Sequence, residues 1–125
     1  MSKKNRIKIT RVPATTNNIT KAIIGFLLSE GHSASRVNVQ GQWDDRLQIW
    51  RPSGSRKGFL DVSACIRDSN GVGRYCVFDV KKGKDTLSDD QKEFIVEVEG
   101  AGGIAIEIES YDYFKTWYTN YIKTI

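Results

Sequence analysis

Phe59-Leu-Asp61-Val-Ser-Ala-Cys65-Ile-Arg-Asp-Ser-Asn70-Gly-Val-Gly-Arg-Tyr75-Cys-Val-Phe-Asp79-Val-Lys81 holds two β-rich runs separated by the turn-forming residues Asp68-Ser69-Asn70-Gly71. In the first run the even positions Leu60, Val62, Ala64 and Ile66 are apolar, while the odd ones include Asp61 and Ser63. In the second, Cys76, Phe78 and Val80 are apolar and the odd positions include Asp79 and Lys81. Successive strand residues point to opposite faces. The pair therefore buries one face coherently only if facing residue numbers sum to an even value. A three-residue loop Ser69-Asn70-Gly71, with Gly71 left-handed, gives that register and sets Asp61 opposite Asp79, with Lys81 two residues further on the same side. A two-residue Asn70-Gly71 turn instead pairs Cys65 with Cys76 and sends the two aspartates to opposite faces, so the first register is preferred.

Two carboxylates opposed across a strand pair repel unless something neutralises them. Mg²⁺, which takes one or two carboxylates plus waters and substrate phosphate oxygens, suits such a pair. Lys81 can then orient or deprotonate an attacking water and stabilise charge on a phosphate. The same spacing also describes an exposed polar face with a cross-strand Lys–Asp cluster, and D-x-K arises often by chance.

Working outward, Thr15-Thr16-Asn17-Asn18 offer capping chemistry for a helix whose apolar positions are Ile19, Ala22, Ile23, Phe26 and Leu27, with Gly31 as its stop. Residues 36–50 alternate as two strands (Val37 and Val39, then Leu47 and Ile49) joined through Gly41 to Arg46, and residues 51–58 form a loop. Beyond the pair, Thr86 to Glu99 predicts a second helix, with Ser88 as N-cap, Gln91 at capping-box spacing, and Phe94, Ile95 and Val98 inside. Gly102-Gly103 precede a short strand, Ile104 to Ile108, and Ser110 to Ile122 forms an aromatic closing helix with Tyr113, Phe114, Trp117 and Tyr121. This order predicts a mixed α/β fold, a central sheet with helices packed on it. One domain is expected over residues 13–125, with residues 1–12 as a basic arm or edge strand.

A chain of 125 residues, 39% of them hydrophobic, suits one core. No apolar run approaches the roughly 20 residues that span a bilayer. The basic start, Met1 to Arg6, lacks the hydrophobic segment of a signal peptide, so a cytoplasmic protein is expected. Cys65 and Cys76 have no CxxC or His-rich context, which argues against zinc and for small apolar fillers. His32, the only histidine, reads as a surface or capping residue. Residues 1–60 hold 11 Lys/Arg against three acids, a balance of +8, whereas residues 61–125 hold eight against 12, a balance of −4. A basic half suits a polyanion and an acidic half suits a cation or a solvated surface.

Gly58-Phe-Leu-Asp61, Phe78-Asp79-Val-Lys81, Leu87-Ser88-Asp-Asp-Gln91-Lys-Glu-Phe94 and Gly102-Gly103-Ile-Ala-Ile106 with Ser110 resemble, in that order, the VRR-NUC branch of the PD-(D/E)xK nucleases. Arg36-Val-Asn38 and the Arg-rich approach to Gly58 are similar too, so the likeness covers roughly residues 18–114. It implies a restriction-endonuclease-like core with Asp61 and Asp79 as metal-binding acids, the Val80 carbonyl as a further ligand and Lys81 as the motif lysine. Gln91 matches the glutamine that begins the following helix near the site. The implied cofactor is Mg²⁺ or Mn²⁺. The chain departs from the family at Asn18, where an acidic residue is common in the first turn of helix one.

Stand-alone members of this size resemble phage-encoded, structure-selective endonucleases. The implied substrate is branched DNA such as a Holliday junction, the implied assembly a homodimer and the location the host-cell cytoplasm. Arg46, Arg51, Arg56, Lys57, Lys82 and Lys84 are the candidates for phosphate contact, and Trp43 or Trp50 for stacking on an unpaired base or for the core. A non-catalytic DNA-binding module on the same fold and an RNA-directed nuclease share these residues and stay as alternatives.

Overall fold

A computed structural model describes residues 15–37, 42–51 and 56–125. The basic arm over residues 1–12, Asn38, Val39, Gly41 and residues 52–55 of the Arg-rich loop lie outside the described residues.

Helix α1 (Thr16–Ser29) starts where Thr15 Oγ1 accepts the Asn18 N–H at 3.2 Å, and it buries Ile19, Ile23 and Leu27 along one face. Gly31, at φ +88°, lets the chain reverse into β1 (Ser33–Arg36). The strand expected to begin at residue 36 thus ends there. β2 (Gln42–Asp44) and β3 (Ile49–Arg51) follow as a hairpin whose turn covers residues 45–48, later than the Gly41–Arg46 connection expected. The cause is local: Asp44 Oδ1 accepts the Leu47 N–H at 3.0 Å, an Asx-type bond that fixes the turn there. The chain continues through β4 (Val62–Arg67), β5 (Gly73–Val80), α2 (Asp89–Gly100), β6 (Ile104–Ile108) and α3 (Tyr111–Ile122).

The central sheet runs β1-β4-β5-β6, antiparallel in its first two pairings and parallel between β5 and β6, while β2 and β3 pair only with each other. The sheet is therefore mixed, with helices on both faces. In the β4–β5 ladder Val62 faces Phe78 and Ile66 faces Arg74, the even-sum register expected. The Asp68 N–H donates to the Val72 carbonyl at 2.9 Å, closing the Ser69-Asn70-Gly71 loop, and Gly71 has φ +82°.

One face of the sheet carries Val62, Ala64, Ile66, Cys76, Phe78, Val80 and Ile108 against α1 and α3, and the other carries Val77 against Leu60, Phe94 and Val98. Edge-to-face rings join sheet to helix, as in Phe78–Phe114 at 5.5 Å between centroids. Two details of the parity reading change. β4 begins at Val62, so the alternation does not extend to Leu60, which turns to the α2 side. The odd face of β5 is not solvated, because α2 covers it and buries Asp79 completely.

Cys76 is a buried filler whose thiol burial pushes up to about 12, but Cys65 is exposed rather than packed. His32 is also more than a surface residue. Its Nδ1 accepts the Arg67 N–H at 3.0 Å and its Nε2 lies 2.8 Å from the Tyr118 hydroxyl, so it joins the end of α1 to β4 and α3. No helix among the described residues is long and apolar enough to cross a membrane.

Candidate metal centre

The end of the β4–β5 ladder brings the two aspartates together through reciprocal bonds. Asp79 Oδ1 accepts the Asp61 N–H at 3.1 Å, and Asp61 Oδ2 accepts the Val80 N–H at 3.0 Å. Asp61 lies just before β4, so its side chain takes the place of a backbone acceptor for the last residue of β5. Its carbonyl accepts the Val37 N–H at 2.9 Å, which ties the site to the chain leaving β1.

Lys81 places its ammonium 3.0 Å from Asp79 Oδ2. That oxygen is fully buried and has no hydrogen bond among the described residues, so the ammonium contacts it as a charge off the hydrogen-bonding directions. Burial, with repulsion from Asp61 next in size, raises the Asp79 carboxyl to about 6 against the relief that Lys81 provides. Burial works to lower the Lys81 pKa, but the Asp79 carboxylate, with Asp61 and Asp85 beyond it, outweighs burial and raises it. Lys81 is therefore an ammonium at neutral pH in the metal-free protein.

Gln91 performs both of the duties open to it. Its backbone N–H donates to Ser88 Oγ at 3.1 Å and its Oε1 accepts the Ser88 N–H at 3.0 Å, completing the capping box of α2. Its Nε2 then donates to Asp79 Oδ1 at 3.3 Å. Gln91→Ala is expected to cost about 1–2 kcal/mol of stability by loss of the cap, read by urea denaturation. Gln91→Glu keeps the capping oxygen but sets a third acid beside Asp79, so its cost should grow between pH 5 and 8 while that of the alanine variant stays flat. Equal pH profiles for the two variants would remove the Gln91–Asp79 contact from the account.

The site holds two carboxylates only; no group of three or more His, Cys, Asp or Glu able to hold a metal occurs among the described residues. The donor set still fits Mg²⁺, which needs one or two carboxylates with waters and phosphate oxygens, and a buried carboxylate oxygen without a hydrogen bond is what such an ion would satisfy. Asn18 supplies no charge to it. The first turn of α1 does lie at this end of the sheet, because Arg36 faces Val62 and its guanidinium donates to Asn17 Oδ1 at 2.7 Å.

An open cleft of about 370 Å³ adjoins Lys81, lined also by Lys82, Asp85, Glu107, Glu109 and Ser110. Sequence reasoning missed Glu107. It faces Asp79 across the parallel β5–β6 pairing and so points to the same side of the sheet. The alternation of Ile104, Ile106 and Ile108 with Ala105 and Glu107 was the available signal.

The expected phosphate-binding cations are spread more widely. Lys82 and Lys84 follow Lys81, and Lys57 is exposed before Gly58. Arg46 sits in the β2–β3 turn. Arg51 pairs with Asp44 at 2.6 Å, and Arg56 pairs with Glu97 at 2.9 Å while lying over the Phe94 ring at 5.1 Å. Those two arginines must exchange a carboxylate for a phosphate in order to bind DNA. No family model, curated protein or solved structure matches the chain.

Proposed function

We propose that the chain is a metal-dependent endonuclease of the PD-(D/E)xK type, on a restriction-endonuclease-like core, hydrolysing phosphodiester bonds in branched DNA. The observation that carries this reading is Asp79 Oδ2, a buried carboxylate oxygen without a hydrogen bond, set beside Asp61 and Lys81 at the edge of an open cleft. The ordered resemblance over residues 18–114 and the mixed sheet flanked by helices support it.

In this reading Asp61 and Asp79, with the Val80 carbonyl, hold Mg²⁺ or Mn²⁺. When bound, the ion supplies Lewis-acid polarisation of the phosphate and acidification of a water. Asp79 is held in place by the Asp61 N–H and by Gln91, so its free oxygen keeps one direction. Lys81, an ammonium on the same side, orients the attacking water and offsets charge building on the phosphate oxygens. The water oxygen bonds to phosphorus, its proton leaves to solvent, and the bond to one ester oxygen breaks. Symmetric cutting of a junction needs two such sites, so two copies of the chain act together.

The test is cleavage of matched branched and linear DNA in a Mg²⁺ or Mn²⁺ titration. Cutting is expected only with metal, to vanish with EDTA, and to favour the branched substrate. Binding without cutting at any metal concentration would assign the chain to a DNA-binding module. Cutting of RNA in preference to either DNA would reassign the substrate. A sedimentation mass of a monomer on junction DNA would remove the paired-site arrangement.

A further inference from the structure

We propose that the β2–β3 hairpin is a base-stacking arm, in which Trp50, with Trp43 beside it, binds unpaired bases of a strand held at the Asp61–Asp79–Lys81 site. The proposal rests on the reading of that site as a phosphodiesterase centre and narrows its substrate to nucleic acid with exposed, unstacked bases.

The hairpin is shaped by its own contacts. Trp43 and Trp50 face each other across the two strands with centroids 5.9 Å apart at 69°. Arg51 Nε donates to Asp44 Oδ2 at 2.6 Å, Gln48 Nε2 donates to the Asp45 carbonyl at 2.6 Å, and the Trp43 indole N–H reaches Asp45 Oδ1 at 3.4 Å. No strand of the central sheet pairs with it, and none of its large apolar side chains joins either core. Trp50 is 68% exposed and Trp43 47%, with Leu47 and Ile49 also open. A two-stranded hairpin has marginal stability alone in water, and an exposed aromatic pair on a preformed hairpin is ready to meet a partner.

Its attachment places it by the site. Before it, Val37 donates to the Asp61 carbonyl; after it, Arg56 is anchored on Phe94 and Glu97 of α2. Five peptide steps separate Val37 from Gln42 and Arg51 from Arg56, a reach of at most about 18 Å each. A strand with a phosphate at Asp79 therefore passes within reach of Trp50.

Charge selects the partner's class. Residues 1–60 carry a balance of +8 and the whole chain +4. A second copy brings the same positive half and is repelled, whereas a polyanion is attracted. Among polyanions, unpaired nucleic acid presents flat faces to an indole; a continuous duplex keeps those faces in its stack.

The test uses the full chain in EDTA, titrated with an oligo-dT of about 12 nucleotides, the same backbone with abasic spacers, and a matched duplex. Wild type should bind oligo-dT with quenching of tryptophan emission and prefer it to the abasic strand and the duplex. Trp50→Ala should weaken oligo-dT binding by about 5- to 150-fold, Trp50→Phe much less, and neither should change abasic binding or the salt slope. Because the hairpin lies outside both cores, far-UV circular dichroism and the urea midpoint of Trp50→Ala should match wild type. Equal oligo-dT affinity in wild type and Trp50→Ala, or equal binding of abasic and base-bearing strands, overturns the proposal. So does a Trp50→Ala variant that splits a dimer without changing affinity, which would give the hairpin to a second copy. Trp50-dependent binding without metal-dependent cutting leaves the arm standing and removes only the nuclease reading.

Discussion

Asp79→Asn is expected to lose metal-dependent cleavage by at least about 100-fold while making the metal-free protein more stable at neutral pH. The two effects share one cause. Asp79 is fully buried with a carboxyl raised to about 6, first by burial and then by Asp61. The folded chain therefore holds this proton over a range in which the unfolded chain, with an ordinary Asp, has released it. Stability is highest below about pH 4 as far as this group goes, falls as pH rises toward 6, and stays reduced above that. Two pKa steps correspond to about 3 kcal/mol, and sharing of the charge with Lys81 makes about 1–3 kcal/mol the reasonable range. Asparagine removes that slope. Its side-chain oxygen still accepts the Asp61 and Gln91 donors, and repulsion from Asp61 disappears. Lys81, 21% exposed at its side chain, can turn to water. Urea denaturation in EDTA at pH 4.5 and 7.5 measures the slope in both proteins. Mg²⁺ should raise the denaturation midpoint of wild type and leave that of Asp79→Asn unmoved. A variant that keeps the wild-type pH slope contradicts the burial argument, and one that still responds to Mg²⁺ contradicts the metal assignment.

The placement of this pair was legible because strand periodicity has only two outcomes. Six apolar even positions in β4 and β5, from Val62 to Phe78 and Val80, admit one register if they are to share a face, and that register puts Asp61 by Asp79. Burial of Asp79 was not legible, since it depends on α2 returning over the odd face of β5. A strand sequence does not state whether its second face will be covered. The Leu60 reversal has a similar origin: parity holds only within a strand, and the Asp61 carboxylate replaces the ladder at its start. Gln91 showed its capping spacing openly, but its bond to Asp79 joins residues from different elements and needed the fold. His32 was misjudged for the same reason, because Arg67 and Tyr118 come to it from distant parts of the chain. The hairpin was displaced by a single short-range bond, Asp44 to Leu47, which competes on equal terms with Gly41 as a turn signal.

Gly58→Ala is the second large effect expected, and it reaches the site indirectly. Gly58 has φ +93°, a left-handed conformation that costs an L residue about 1–2 kcal/mol. A Cβ there would collide with the Asp90 backbone, lying 2.6 Å from its carbonyl carbon and pressing on its carbonyl oxygen. Backbone in a capped first turn cannot yield as a side-chain tip can. Either α2 must retreat or the segment from Arg56 to Leu60 must lift, giving up the Phe59–Phe94 ring contact at 5.0 Å and the burial of Leu60. Together these set the expected loss at about 2–4 kcal/mol. A retreat of α2 also moves Gln91, the residue after Asp90, away from Asp79, so cleavage should fall about 10-fold or more even where the protein is fully folded. Gly25→Ala supplies the contrast. Gly25 lies inside α1, with ordinary backbone and nothing within 4 Å of the place an alanine methyl would take, so alanine there should add about 0.5–1 kcal/mol and leave cleavage alone. Urea midpoints and single-turnover cleavage of the two variants test the coupling. A Gly58→Ala protein that is destabilised but cuts at the wild-type rate when folded would show that the first turn of α2 does not hold Asp79 in place.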